Sequence, residues 1–134
     1  MVLPGVQALF GFQLIAAFNQ RFSDLDAFDR GIHFAALLLV ALVVGLLMTP
    51  AAYHRLCERT AISVYFTTMS SRLIAASMVP LALAIALEVY VVGEIAFPEL
   101  SSLWTGSFAA ATFAALFALW IVFPLVRKKM SPVP

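Results

Sequence analysis

Four long apolar runs, at about residues 3–22, 30–49, 72–97 and 102–126, constrain the fold of this chain more than any other feature. A helix needs about 20 residues to cross the hydrocarbon core of a bilayer, and these runs are near that length. Backbone polar groups in lipid must find their hydrogen-bond partners within the segment itself, as they do in a helix. The sequence therefore predicts one all-α domain over residues 1–134, a polytopic membrane protein with four transmembrane helices.

Composition supports a lipid environment and excludes several classes of function. Of the 134 residues, 63% are hydrophobic and 11% are charged, and a soluble domain this small cannot bury so much apolar surface. The net charge of +1, without basic stretches interleaved with aromatic residues, gives no reason to expect a nucleic-acid partner. The sequence contains no recognisable Ser–His–Asp set, phosphate-binding glycine loop or pair of catalytic carboxylates, so we do not expect an enzyme.

The distribution of basic residues predicts an orientation. Six of the eight lysines and arginines fall on one side of the predicted helices. They are Arg55, Arg59, Arg72, Arg127, Lys128 and Lys129. The positive-inside rule places that side in the cytoplasm of a bacterial inner membrane, with both termini inside. This bias also argues against a dual-topology protein.

Aromatic and basic residues near the ends of the runs are predicted to anchor the protein at the two membrane surfaces. Trp104 and Trp120 are sixteen residues apart, which is roughly 24 Å in a helix and close to the spacing of the two aromatic belts. Further anchors are expected near lipid headgroups on the cytoplasmic side. These are Tyr53, Arg55, Arg59, Arg127, Lys128 and Lys129.

Several boundaries follow from local signals. Pro50 is expected to end the second helix, and Pro80 to bend the third. The segment Thr60–Ser71 either lies along the inner surface or extends the third helix into the cytoplasm, and its helix-compatible pattern favours the extension. Ser23 followed by Asp26 resembles a capping arrangement that opens the second helix, rather than part of a metal site.

Glu88 lies inside the third run, six residues before Glu94 at the outer boundary, or roughly 9 Å below that surface. A glutamate is too short to reach the headgroups easily, so it is either protonated or turned toward polar groups on other helices. Gln13, His33 and Ser107 fall at similar depths on the other runs. Glu88, Gln13 and His33 thus form a possible proton or cation site. The alternative is an internal strut that locks the third helix to the first.

The fourth run carries small residues at every fourth position, a pattern that lets two helix backbones approach closely. The stripe consists of Ser102, Gly106, Ala110, Ala114 and Ala118. Its partner is a helix of the same bundle, another copy of the chain or a different membrane protein.

His33 also allows a cofactor hypothesis, because a histidine near the outer mouth could ligate the metal of a tetrapyrrole. The alternative is a histidine hydrogen-bonded between helices, which we favour. We otherwise expect neither a cofactor nor a metal.

The segments PGVQALFGFQL, RFSDLD, TPAAYHRL and SSRLIAASM, in this order and spacing, resemble an uncharacterised family of small bacterial membrane proteins. That family is catalogued as a domain of unknown function, and some members carry the label sodium:proton antiporter. The resemblance covers about residues 4–95 and implies a four-helix membrane protein. Members usually have a charged cytoplasmic helix before the PGVQ-like start, so we expect that this element is absent or not included here.

These observations predict a structural or accessory subunit that packs laterally, through the fourth-helix stripe, against copies of itself or other membrane-protein subunits. The alternative is a proton- or sodium-coupled transporter or channel that uses Glu88.

Overall fold

The computed structural model of the protein describes residues 3–16, 18, 22–57 and 63–130, and this part of the chain forms four helices. They are α1 (Leu3–Ala16), α2 (Ala27–Cys57), α3 (Val64–Ala96) and α4 (Ser102–Met130). The prediction of an all-α protein is confirmed. Three of the helices, α2, α3 and α4, are long and apolar enough to cross a membrane, whereas α1 is a shorter apolar helix.

The central pair of the fold is α2 and α3, with α1 packed on α2 and α4 packed on α3. The core joins Val6 of α1, Val40 and Val43 of α2, and Leu81 and Ala84 of α3. Valine and alanine are small enough for two helices to approach closely, and dispersion between close surfaces holds helices together where lipid removes the hydrophobic drive. The α2–α3 pair therefore forms the framework on which the polar side chains are placed.

The prediction that Pro50 ends the second helix is wrong, because α2 continues through it to Cys57. Proline removes one helical hydrogen bond, but neighbouring groups often compensate within membrane helices. The Thr49 hydroxyl donates to the Gly45 carbonyl at 2.8 Å and supports this turn. Beyond it, the Tyr53 ring packs at 6.3 Å on Phe66 of α3, a contact that a helix ending at residue 49 would lose.

The other predicted boundaries differ from the structure by a few residues. Described α1 ends at Ala16, earlier than the predicted limit of 22, and residues 17 and 19–21 of that prediction lie outside the described part. Residues 64–71 continue α3, as the extension hypothesis expects, while residues 60–62 are again outside. The helix α3 is uninterrupted at Pro80.

Two side-chain caps fix where α2 and α3 begin. The Asp26 carboxylate accepts a hydrogen bond at 2.8 Å from the Asp29 backbone N–H, so Asp26 itself caps α2. Of the two residues in the predicted capping arrangement, Ser23 and Asp26, it is Asp26 that caps the first turn. The Ser63 hydroxyl accepts from the Phe66 N–H at 3.0 Å and caps α3.

The helix α4 contains a π-helical stretch, Ala118–Val122, between the α-helical parts Ser102–Phe117 and Phe123–Met130. At its end the Phe123 N–H donates to the Ala118 carbonyl five residues earlier. Pro124 follows directly, and its ring would crowd the carbonyl four residues before it in a regular α-helix. A wider turn relieves that crowding, which gives a local reason for the π stretch.

Candidate functional site

The side chains of Glu88, Gln13 and His33 meet between α1, α2 and α3. The Gln13 Nε2 donates to Glu88 Oε1 at 2.7 Å, and His33 Nδ1 lies 3.0 Å from the same oxygen. Glu88 Oε2 is 3.3 Å from His33 Nδ1. The His33 side chain is 6% exposed and that of Glu88 is 14% exposed. The structure thus brings together the three residues that the sequence singled out, and they tie the first three helices to one another.

The second nitrogen of His33 makes a contact that the sequence does not predict. His33 Nε2 lies 3.1 Å from the backbone carbonyl oxygen of Gln13. Gln13 is among the last four residues of α1, whose carbonyls lack partners within a regular helix. The imidazole therefore caps the end of α1, where the helix dipole favours a positive charge.

The two contacts of His33 restrict the proton arrangements in which both can be hydrogen bonds. The Gln13 carbonyl and an ionised Glu88 are both acceptors, but a neutral imidazole has only one N–H to donate. Both contacts become hydrogen bonds when His33 is an imidazolium, or when Glu88 is a carboxylic acid that donates to Nδ1. Each arrangement carries one proton more than a neutral imidazole beside a carboxylate. The pair is then neutral overall, as burial in an apolar surrounding favours.

Two further features complete the surroundings of this pair. The Phe22 ring meets the His33 ring edge-on, with centroids 5.0 Å apart. The Gln13 Oε1 is buried and finds no hydrogen-bond partner in the described part of the chain. Because this oxygen shares its carbon with Nε2, it lies beside Glu88 as an unused acceptor. Both ring nitrogens of His33 are engaged, which argues against the tetrapyrrole alternative.

Ser107, which the sequence placed at a similar depth to Glu88, is not part of the cluster. It is exposed, and its hydroxyl donates to the Leu103 carbonyl at 2.7 Å within α4. Serine satisfies itself on its own helix in this way without needing a neighbour. Gln13 and His33 contact Glu88, whereas Ser107 does not, because depth along a helix does not determine which face a residue occupies.

A second polar cluster, which sequence reasoning missed, joins α2, α3 and α4. The Asp29 side chain is buried and hydrogen-bonds with Tyr90. One turn further along α3, Glu94 accepts from the Thr105 hydroxyl and, at 3.4 Å, from Ser102. From the sequence, Glu94 was used only to mark the outer boundary of the third run. The spacing of Tyr90 and Glu94 was the signal that could have predicted this cluster, since residues four apart share one face of a helix.

An apolar groove of about 950 Å³ lies between α1 and α4, with α3 as its floor. We call it the α1–α4 groove. Leu9 contributes from α1, Phe108 and Ala111 contribute from α4, and Glu88 lies in the floor. Glu88 is the sole ionisable side chain among the described residues that line it. One side of the buried pair therefore faces this groove.

Most of the small-residue stripe of α4 is exposed, although Ser102 at its start contacts Glu94 of α3 at 3.4 Å. In the described part of α4 only Thr105 and Ala109 are buried, and these face α3. Gly106 is half-buried, and the other stripe residues are exposed. These exposed residues are Ser102, Ala110, Ala114 and Ala118. Most of the stripe is therefore not covered by another helix within the described part of the chain.

The predicted interface anchors occupy different environments. Trp104 is 61% exposed, whereas Trp120 is partly buried and packs against the core. Tyr53 is half-buried between α2 and α3, with its ring centroid 6.0 Å from that of Tyr65. The basic anchors Arg55, Arg127, Lys128 and Lys129 are exposed, and Arg59 lies outside the described residues.

Comparison with known proteins gives a family but no described activity. The described residues contain no group of three or more His, Cys, Asp and Glu side chains placed to hold a metal ion. No curated protein and no solved structure matches the chain. The model of a family of unknown function, DUF6328, matches residues 1–124, which confirms the resemblance to an uncharacterised family. The chain belongs to the DUF6328 family.

Proposed function

We propose that this protein is a small multi-pass subunit of a bacterial inner membrane, which associates laterally with copies of itself or with a larger membrane assembly. The length and apolar character of α2, α3 and α4 support three crossings. The buried contacts of α1 with α2 and α3 support placing α1 within the same layer as a fourth. The charge distribution supports an orientation with both termini in the cytoplasm.

The observation that carries this proposal is the outward direction of the α4 stripe. A lipid-facing surface has no need of small residues, because acyl chains pack equally well against leucine or phenylalanine. A row of small residues instead lets a second helix backbone come close, so that many weak dispersion contacts form. The stripe runs over four turns from Ser102 to Ala118 and is open along most of its length. We infer that another helix covers it.

Ala110→Leu is the substitution that tests this association. A leucine in the middle of the stripe keeps the two backbones apart, so we expect the associated form to be lost or reduced at least about tenfold, the cost of a poorly packed helix contact. Native gel electrophoresis and light scattering in mild detergent measure the mass of the complex.

Ala115→Leu is the matched control, because Ala115 is an exposed alanine on the same helix. It lines the α1–α4 groove and lies about 140° around the helix from Ala110. We expect the control to keep the mass of the wild type. Equal masses for the wild type and the Ala110→Leu variant would rule out the stripe as the contact.

A second candidate function is proton or cation movement through the cluster of Glu88, Gln13 and His33. The contacts of His33 favour it, since they are both satisfied only when the pair holds an additional proton. An ionisable pair buried among apolar helices is costly, and such pairs in membranes often mark ion or proton pathways.

Proton flux in liposomes tests this candidate. We expect reconstituted wild-type protein to dissipate an imposed pH gradient, with or without sodium as the exchanged ion. Glu88→Gln should abolish this flux, because an amide preserves the shape of the side chain but cannot ionise. Empty liposomes and the Ala41→Leu variant, at an exposed position of α2 outside the groove, serve as controls. Flux that is the same with and without Glu88, or absent from the wild type, would exclude this function.

A further inference from the structure

The α1–α4 groove combines apolar walls with a single acid in its floor. We propose that it is a binding site for a lipophilic organic cation, whose apolar body lies between α1 and α4 and whose charge pairs with Glu88. This proposal does not depend on lateral association. It shares Glu88 with the second candidate function and names the class of cation that the pair would exchange for a proton.

The size and walls of the groove define the body of the ligand. Its volume of about 950 Å³ is at the upper end of the range for pockets that hold drug-sized molecules. Two hydroxyls line it, but both donate within the protein. The Thr112 hydroxyl donates to the Phe108 carbonyl at 2.8 Å, and that of Thr105 donates to Glu94. Because both hydroxyls already donate within the protein, an apolar ligand body matches the groove best.

Glu88 defines the charge of the ligand. Its Oε1 is close to both Gln13 Nε2 and His33 Nδ1, but Oε2 has only the 3.3 Å contact with His33. A carboxylate accepts about four hydrogen bonds, so capacity remains on Oε2. The Glu88 side chain is also more exposed than that of His33, at 14% against 6%. The described lining contains no basic residue, so an anionic ligand would be repelled by the Glu88 carboxylate. Charge complementarity therefore selects a cation.

Binding of such a cation is linked to the proton of the His33–Glu88 pair. When a permanent positive charge lies beside Glu88, the additional proton is no longer needed to keep the pair neutral. This proton is then released to water from the imidazole nitrogen or from the carboxylic acid. One cation enters and one proton leaves, so the charge of the site is unchanged. Only the N–H or O–H bond to the departing proton breaks.

The direct test is equilibrium dialysis of the purified full chain, in a nonionic detergent, against tetraphenylphosphonium. We expect the wild type to bind this cation and the Glu88→Gln variant to bind it about tenfold or more weakly, as expected for the loss of a charge partner. Neutral triphenylphosphine oxide should show no such difference. Ala111→Phe should weaken binding by filling the groove. Ala41→Phe, at an exposed position of α2 outside the groove, should not.

Three results would overturn the groove proposal: no binding of the cation by the wild type, equal binding by the Glu88→Gln variant, or binding unaffected by Ala111→Phe. The proton is measured in the same samples with a pH indicator in weak buffer. Release of about one proton per bound cation supports the exchange as well. Binding without release upholds the groove and removes the exchange. Proton flux in liposomes without cation binding removes the groove and upholds the second candidate function.

Discussion

Glu88→Leu is expected to lower the free energy of unfolding by about 3–5 kcal/mol, the loss that follows when one partner of a buried charged pair is removed. The substitution leaves the nearly inaccessible His33 ring facing an apolar side chain, and it also removes the acceptor for Gln13 Nε2. Thermal unfolding in nonionic detergent measures this loss, followed by tryptophan fluorescence, to which Trp120 against the core contributes.

The double variant His33→Leu/Glu88→Leu provides the matched comparison. Replacing both members of a buried pair by apolar groups is often close to neutral, so we expect it to recover most of the stability that the single variant loses. A loss of only about 0.6–2 kcal/mol in the single variant would be typical of one interhelical hydrogen bond in a membrane. That result would mean that the pair is held as a neutral acid and a neutral imidazole. A single variant as stable as the wild type would contradict a stabilising role for the pair.

The cluster of Glu88, Gln13 and His33 was predictable because burial among apolar helices restricts what a polar side chain can do. A carboxyl group in the middle of an apolar run needs donors, and counting residues from each predicted boundary gives the depth of every candidate. The contact between His33 and the Gln13 backbone carbonyl was not predictable in this way. It depends on the Gln13 carbonyl lying in the last turn of described α1, which the predicted run over residues 3–22 does not indicate.

The error at Pro50 has a different cause. The rule that a helix ends before proline describes local backbone sterics, whereas α2 continues because residues beyond Pro50 still pack on α3. The stripe of α4 shows the same limit. Its four-residue repeat was visible in the sequence, but Thr105 and Ala109 repeat with the same period on the face that α3 covers. Periodicity alone could not show which of the two rows faces outward.

Gly93 of α3 lies directly against Thr105 of α4, and Gly93→Ala is expected to destabilise the protein. A β-carbon at this residue would lie 2.9 Å from Thr105 Cγ2, so one of the two helices must move. Thr105 cannot turn aside freely, because it is buried, its hydroxyl donates to Glu94, and the same oxygen lies 3.1 Å from the Ser102 carbonyl. Crowding of this kind costs about 1–3 kcal/mol, which outweighs the gain in helix propensity of up to about 1 kcal/mol.

Two variants separate the contact from the general effect of replacing glycine. Gly45→Ala adds a β-carbon that meets nothing within 4 Å, so helix propensity should leave stability equal or raise it. Thr105→Ser removes the crowding methyl group and keeps the hydroxyl for Glu94. Combined with Gly93→Ala, it should therefore restore most of the lost stability, as measured by the same thermal unfolding. A Gly93→Ala variant that unfolds like the wild type would mean that α4 is not held at this distance from α3. The result matters for both proposals, because α4 carries the stripe and one wall of the groove.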